Sequence, residues 1–202
     1  MEFQRVVEKR RMVRSFEDRP IAPEVVQRML ENAIRAPSAS NIEGWAFLVI
    51  EGREDRQQFW DLTDRAAYGW PELFRAPLVI VCLSSKDAYL DRYAEPDKGW
   101  SDRDETRWPV PYWDIDTGMA ALLILLTAVE AGLGALFFGL GGPGSGLRGK
   151  TDFTAFRAHY GIPDAYHPIG AIAVGYEAPS SAPAKRPKKR RSVDAVVHRG
   201  RW

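Results

Sequence analysis

The stretch WDIDTGMAALLILLTAVEA, residues 113–131, decides the fold because it is the most apolar segment of the chain. A helix that is apolar on nearly all sides is buried in a protein core or in a membrane. Its most apolar part, Met119 to Val129, is far shorter than the roughly 20 residues that a membrane span needs, and acidic residues flank it. We therefore predict a buried core helix that Gly132 caps.

Short strands and further helices alternate around this segment. Runs of β-branched and aromatic residues predict strands at 45–50, 78–83, 135–140 and 169–176. Apolar spacing predicts a helix from Pro23 that Pro37 ends, a surface helix at 54–63 and a short helix at 152–160 that Gly161 stops. Residues 84–112 mix aromatic and charged side chains without a period, and we interpret them as a long excursion or lid. The order predicts an α+β fold with a mixed sheet.

The composition is that of one globular domain spanning residues 1–202. Hydrophobic residues make up 45% of the chain, and 28 basic against 27 acidic residues leave a net charge of +1. No global charge favours nucleic acid or a membrane surface, so an anion site must be local. The single cysteine, Cys82, lies in an apolar run and is expected to be a small buried thiol. With no apolar signal-type stretch at the N-terminus, we expect a cytoplasmic protein.

A glycine-rich segment offers one candidate anion site. Gly144 to Thr151 matches the phosphate-loop pattern G-x-x-x-x-G-K-[ST], and Gly139, Gly141 and Gly144 match the dinucleotide pattern G-x-G-x-x-G. The preceding strand ends near Leu140, and Gly141-Gly142-Pro143 intervenes, so the phosphate loop would not spring directly from its strand. For the dinucleotide pattern, Pro143 favours an irregular turn instead of a helix start. We interpret the segment as a loop that borders a site, and nucleotide binding through it stays as an alternative hypothesis.

Two basic clusters offer a second candidate. Arginines occupy positions 10, 11 and 14, and six of the seven residues at 185–191 are basic. The second cluster alone is typical of a nucleic-acid patch or a solvated tail. Distant arginines and lysines can also converge on one phosphate, to which arginine donates paired, charge-assisted hydrogen bonds.

Two blocks carry a family resemblance: RRMVRSF at 10–16 and APSASNIEGW at 36–45. In order and spacing they resemble the nitroreductase family of flavin mononucleotide (FMN) enzymes. The resemblance continues through the helix from Trp113, the turn at 130–134, the closing stretch 161–176 and the basic tail within 177–202. It implies a mainly antiparallel sheet flanked by helices and a domain completed by homodimerisation.

The resemblance also implies a flavin site, built residue by residue from matching positions. Arg10, Arg11 and Met12 would face the ribityl and pyrimidine side, and Arg14, Lys188 and Arg190 would hold the phosphate. The segment Phe137-Phe138-Gly139-Leu140 would lie against the isoalloxazine, with a weaker match at Asp116. From the other subunit, the site would receive Pro37, Ser38, Ala39 and Asn41.

The implied reaction is a ping-pong transfer of two electrons from NADH or NADPH, through FMN, to a small organic acceptor such as a nitro compound or quinone. The flavin carries the chemistry, so no catalytic side chain and no metal are expected. Relatives that bind a deazaflavin or fragment the flavin remain alternatives. The chain departs from the family at Met12, commonly Ser, and at Glu43-Gly44, commonly Gln-Pro. Glu43 is either a flavin contact, where its charge would oppose an anionic reduced flavin, or a surface residue.

Overall fold

The computed structural model describes residues 1–64, 68–142, 150–179 and 190–202. Within them the helices are α1 (Phe3–Lys9), α2 (Pro23–Ala33), α3 (Arg53–Leu62), α4 (Lys86–Ala94), α5 (Tyr112–Glu130) and α6 (Phe153–Tyr160). The strands are β1 (Trp45–Ile50), β2 (Leu78–Ser84), β3 (Gly134–Phe138) and β4 (His167–Gly175).

The four strands form one sheet in the order β1-β2-β4-β3, and each neighbouring pair is antiparallel. A parallel bridge between Met12 and Ala135 adds the N-terminal segment to the outer edge of β3. Every residue of β2 is buried, as befits a central strand with both faces covered. The predicted α+β fold with a mainly antiparallel sheet is confirmed.

One face of the sheet packs against α2 and α5. Ile80 and Ile172 of the two central strands lie in the same core cluster as Met29 of α2 and Ile124 of α5. By length and composition α5 could span a membrane, but 56% of its most apolar window is buried inside the fold. It is therefore the core helix of the sheet, as predicted, although its 19 residues reach well beyond the apolar stretch.

The opposite face carries an aromatic core. Phe138 stacks on Trp60 of α3 with 5.6 Å between ring centroids and an interplanar angle of 18°. Phe59 and Tyr68 meet the same phenylalanine edge to face, at 6.3 and 5.4 Å. Because side chains alternate along a strand, the neighbouring Phe137 points to the α5 side instead.

Three helix ends follow local signals that the sequence displays. Gly161 adopts the left-handed conformation, with φ +63°, and its N–H donates to the Arg157 carbonyl at the end of α6. The Asp152 side chain caps the start of the same helix by accepting from the N–H groups of Thr154 and Ala155. Gly132, with φ +78°, follows α5 in the same manner.

The excursion at 84–112 is more ordered than the sequence analysis expected. It contains α4 and a 3-10 turn at Glu105–Arg107. Only Tyr89 and Leu90 of α4 are buried, so the helix shows hardly any apolar period, and the sequence signal is correspondingly weak. Helix α1 was missed for the same reason, since Val6 is its one buried residue.

Cys82 lies on β2 beneath α2 and α5 and is fully buried. Burial raises the pKa of its thiol to about 12, because the thiolate would be desolvated. We expect a thiol-selective disulfide reagent at neutral pH to leave the native protein unmodified and to label one thiol per chain after denaturation. Rapid labelling of the native protein would contradict this burial and the packing of β2 against α5.

Candidate functional site

The N-terminal basic segment is aligned with β3. The Val13 N–H donates to the Ala135 carbonyl at 2.9 Å, next to the parallel bridge from Met12. A Cβ at Gly134 would lie 2.9 Å from Val13, so the glycine permits this close approach. Since the bridge is parallel, the N-terminal segment runs alongside β3 in the same direction. The fold thus brings two of the predicted site segments, 10–14 and 137–140, side by side.

The three arginines of this segment have different surroundings. Arg11 forms an ion pair with Glu177, which neutralises it locally. The exposed Arg14 guanidinium donates to the Met12 carbonyl at 3.2 Å and lies 4.7 Å from the Trp70 ring centroid. Neither Arg10 nor Arg14 forms an ion pair with any described residue. Two guanidiniums therefore remain available to an anion.

The other basic residues predicted for the phosphate are less defined. Arg190 is exposed and forms no ion pair within the part of the chain that the structure describes. Lys188 lies outside the described residues. The convergence of Arg190 and Arg14 on one phosphate therefore stays a prediction.

The segment at 137–140 has an open face and a buried face. Phe138 and Leu140 are buried, whereas Phe137 and Gly139 are partly exposed. A Cβ at Gly170 would lie 2.6 Å from the Phe137 ring, so this ring lies over the neighbouring strand β4 at a position that a glycine leaves open. Among the described residues, the backbone N–H groups of Gly139 and Leu140 have no hydrogen-bond partner. The donors and the open face suit a planar heterocycle with acceptor atoms at its edge.

The loop after α2, which holds the remaining predicted residues, is fastened to α5 and α4. The Ala39 N–H donates to Asp116 Oδ2 at 2.8 Å. The Ser40 and Tyr93 hydroxyl oxygens lie 3.0 Å apart and share a hydrogen bond. These contacts fix the loop against the start of the core helix and against the excursion.

The same loop contains several residues with left-handed backbone. Ser40, Asn41 and Glu43 have φ values of 52°, 53° and 55°. Such conformations in non-glycine residues cost about 1–3 kcal/mol each and persist where the surroundings hold them. The Glu43 N–H donates to Ser38 Oγ at 3.0 Å, which is one such restraint. The Glu43 side chain is exposed.

Asp116 and Tyr89 form the buried hub behind this loop. The Tyr89 hydroxyl donates to Asp116 Oδ2 at 2.7 Å, and the aspartate is only 2% exposed. Burial, and then the hydrogen bond to Asp116, raise the pKa of Tyr89. A Cβ at Gly44 would lie 2.5 Å from the Tyr89 ring, so a glycine is required there. This packing accounts for the departure from the family pattern at position 44.

The polar contacts among the described residues do not connect all the predicted site segments. No hydrogen bond or ion pair among the described residues links 36–44 to 10–14 or to 137–140. A cleft of about 290 Å³ near the N-terminal segment is lined by Arg11 and Glu177 but by no residue of 137–140. Ala36, Met12 and Phe137 nevertheless belong to the same apolar cluster, so these segments are linked by the core rather than by polar contacts.

One polar cluster was missed by the sequence analysis. The Ser84 hydroxyl donates to Asp114 Oδ1 at 2.6 Å, and His167 Nε2 lies 2.9 Å from Ser84 Oγ and 3.0 Å from Asp114 Oδ1. In a Ser-His-Asp triad the aspartate holds the other ring nitrogen, so this arrangement is not a nucleophile relay. It fastens the first turn of α5 to the end of the sheet. No short-range signal could reveal it, because the three residues are far apart in sequence.

The glycine-rich alternative lacks the surroundings that its chemistry needs. A phosphate loop connects a strand of a parallel sheet to a helix, whereas β3 is the antiparallel neighbour of β4. Thr151, whose hydroxyl would bind Mg²⁺, is fully buried, and its N–H donates to the Gly141 carbonyl at 2.6 Å. Residues 143–149 of the motif lie outside the described residues.

Comparison with known proteins places these features in a family. The family model described as "Nitroreductase family" matches residues 7–67 and 62–176. A Thermus thermophilus protein named "NADH dehydrogenase" is 26% identical over 194 residues, covering 88% of this chain and 88% of its own length. A Staphylococcus aureus "NADPH-dependent oxidoreductase" is 24% identical over 199 residues, covering 98% of this chain and 72% of its own.

Solved structures agree on the fold. The crystal structure of a nitroreductase family protein from Streptococcus pneumoniae superposes with a TM-score of 0.73 at 19% identity, over 98% of this chain and 99% of that one. The family model covers most of the chain, including both segments that meet at β3 and the loop fastened by Asp116. The chain therefore belongs to the nitroreductase family of oxidoreductases.

Proposed function

We propose that the protein is a homodimeric FMN-dependent oxidoreductase that transfers two electrons from NAD(P)H to a small organic acceptor. The observation that carries this proposal is the parallel bridge between Met12 and Ala135. It aligns the segment that holds Arg14 with the outer edge of β3, the strand that leads into the partly exposed Phe137 and Gly139. An anion donor set and a surface for a planar ring then lie next to each other, as a flavin with a phosphate tail requires.

When bound, the flavin would supply the two-electron chemistry. The chain's own residues bind and orient it: Arg14, Lys188 and Arg190 hold the phosphate by charge-assisted hydrogen bonds. Arg10, with Arg11 and Met12, lies toward the pyrimidine side, where positive charge stabilises developing negative charge. The free N–H groups of Gly139 and Leu140 donate to the ring edge. Asn41, with Pro37 to Ala39, closes the site from the other subunit.

The choice of reductant and cofactor rests on the family and on the names of relatives. Their names specify NADH or NADPH, which supports a nicotinamide donor for this chain.

A visible spectrum of the purified protein separates the cofactor alternatives. Flavin absorption bands, with FMN released on heating, would support the proposal, whereas a deazaflavin spectrum would assign the chain to that alternative.

A homodimer is supported by apolar surface on the core helix and beside it. Ile115 and Leu122 of α5 and Phe3 of α1 are exposed in the single chain. Phe3 also lines a groove of about 440 Å³, together with Leu123 and Leu126 of α5. Apolar patches of this kind mark interaction sites. In the proposed dimer, the second copy would supply the loop at 37–41 to the flavin site.

Paired substitutions separate the flavin hypothesis from the phosphate-loop hypothesis. Arg14→Ala should weaken FMN binding by roughly tenfold to a hundredfold, because a charge-assisted hydrogen bond is lost. Lys188 and Arg190 would compensate in part, which favours the lower end. Lys150→Ala should leave FMN affinity within about twofold, as for a surface change. Fluorescence titration measures both; a silent Arg14→Ala, together with loss of nucleoside triphosphate binding in Lys150→Ala, would favour the phosphate loop.

The assembly can be measured directly. Sedimentation at micromolar concentration should give about twice the chain mass of 22.8 kDa. The physical reason is that a dimer would cover the apolar side chains of α5 that stay exposed in the single chain, Ile115 and Leu122. A species of single-chain mass with FMN fully bound would show that one chain completes the site, against the proposal.

The excursion is proposed to set the choice of acceptor. Tyr93, which bonds to Ser40 of the site loop, also packs against Trp100 and Trp108 with centroids 4.8 and 4.5 Å away. All three rings are partly exposed. An aromatic surface tied to the site loop suits stacking with planar acceptors.

Trp100→Ala should therefore change the ratio of kcat/KM between aromatic quinones and small aliphatic acceptors by roughly two- to tenfold, the range of one ring contact. Steady-state kinetics over an acceptor panel gives the ratio, and FMN affinity serves as the internal control because it should stay constant. Equal changes for every acceptor would argue against a role in selectivity.

A further inference from the structure

The burial of Asp116 argues against direct contact with a flavin. Its carboxylate lies behind the site loop, with both donors, the Ala39 N–H and the Tyr89 hydroxyl, on the same oxygen. At 2% exposure it presents almost no surface to a ligand. A buried carboxylate is tolerated where hydrogen bonds compensate for lost hydration, and these two donors do so.

We propose that Asp116 is a positioning residue that holds the loop at 37–41 in the conformation that the flavin site of the other subunit requires. The loop needs such a restraint, since Ser40 and Asn41 have left-handed backbone. Ala39, whose N–H donates to Asp116, directly precedes these two residues in the chain. Gly44 and the Tyr89 ring, in close contact behind the loop, complete the support.

The inference rests on the proposed shared flavin site. It specifies which of the two sites in the dimer each residue serves. Arg14 lies beside β3 and would serve the flavin bound by its own chain. Asp116 acts on a loop that would serve the flavin bound by the partner chain. A defect at Arg14 and a defect at Asp116 in one chain would therefore damage two different sites of the dimer.

The first test needs no cofactor. Asp116→Asn keeps the side-chain shape and removes the charge that both donors meet. In the flavin-free protein, hydrogen exchange of the Ala39 and Asn41 amides should become faster than in the parent. The matched control is Asp114→Asn, two residues earlier on α5, which bonds to Ser84 and His167 rather than to the loop. Equal loop protection in both variants would overturn the proposal.

The second test measures FMN affinity. Asp116→Asn should raise the FMN dissociation constant about tenfold, the effect of weakening one charge-assisted contact, while Asp114→Asn stays within about twofold. Tyr89→Phe removes one donor and leaves the Ala39 bond, so it provides a milder variant if Asp116→Asn folds poorly. If Asp116→Asn and Tyr89→Phe lower the melting temperature but leave FMN affinity unchanged, the role of Asp116 is merely structural and the proposal fails.

Mixed dimers test the direction. Differently tagged Asp116→Asn and Arg14→Ala chains are co-expressed, and the heterodimer is purified through both tags. One of its two sites combines the intact Arg14 with the intact loop, so it should bind FMN with parent affinity, while the other is doubly impaired. Weak FMN binding at both sites would contradict the proposal that Asp116 acts across the interface. Tight FMN binding to a single chain, or no FMN binding by the parent protein, would instead reject the proposed function and leave the exchange result standing.

Discussion

The antiparallel pairing of β2 with β4 is the constraint on which the remaining structure depends. These two central strands are buried on both faces, so each face must be covered by an apolar layer. Helices α2 and α5 cover one face and the aromatic cluster around Phe138 covers the other. The edge strand β3 then has its outer side free for the N-terminal segment. The position of the basic residues follows from this arrangement.

The start of α5 and the neighbouring end of the sheet collect most of the polar contacts that shape the candidate site. Asp114 bonds to the sheet through Ser84 and His167, and Asp116 bonds to the loop and to Tyr89. Two carboxylates on one helical turn thus fix the core helix to the sheet and the loop to the core helix. Since burial strengthens hydrogen bonds to charged groups, the loop can hold a strained backbone at this point.

Much of the fold could be predicted from local signals. The apolar run of α5, the cap at Asp152 and the glycine at 161 each act within a few residues, and the structure has all three. Helix α4 was not predicted, because Tyr89 and Leu90 are its only buried residues and give almost no apolar period. Its other restraints include contacts to residues distant in sequence, such as the Tyr93–Ser40 hydrogen bond and the ion pairs of Arg103.

For the candidate site, the sequence predicts the segments that take part but not the contacts between them. The sequence identifies three arginines at 10–14 but cannot tell that Glu177 neutralises Arg11 and leaves the other two unpaired. Gly44 is unexplained until the Tyr89 ring is seen against it. The cluster of Ser84, Asp114 and His167 depends on three elements that meet only in the folded chain. Such contacts join residues more than 25 positions apart, beyond the reach of any periodicity.

The central claim is that one flavin site is built from two chains, and a crystal structure of the protein grown with FMN tests it most directly. We predict two FMN molecules per dimer, each with its phosphate at Arg14 of one chain and its ring between residues 137–140 of that chain and residues 37–41 of the other. FMN held entirely within one chain, or bound at the glycine-rich loop ending at Thr151, would contradict the account.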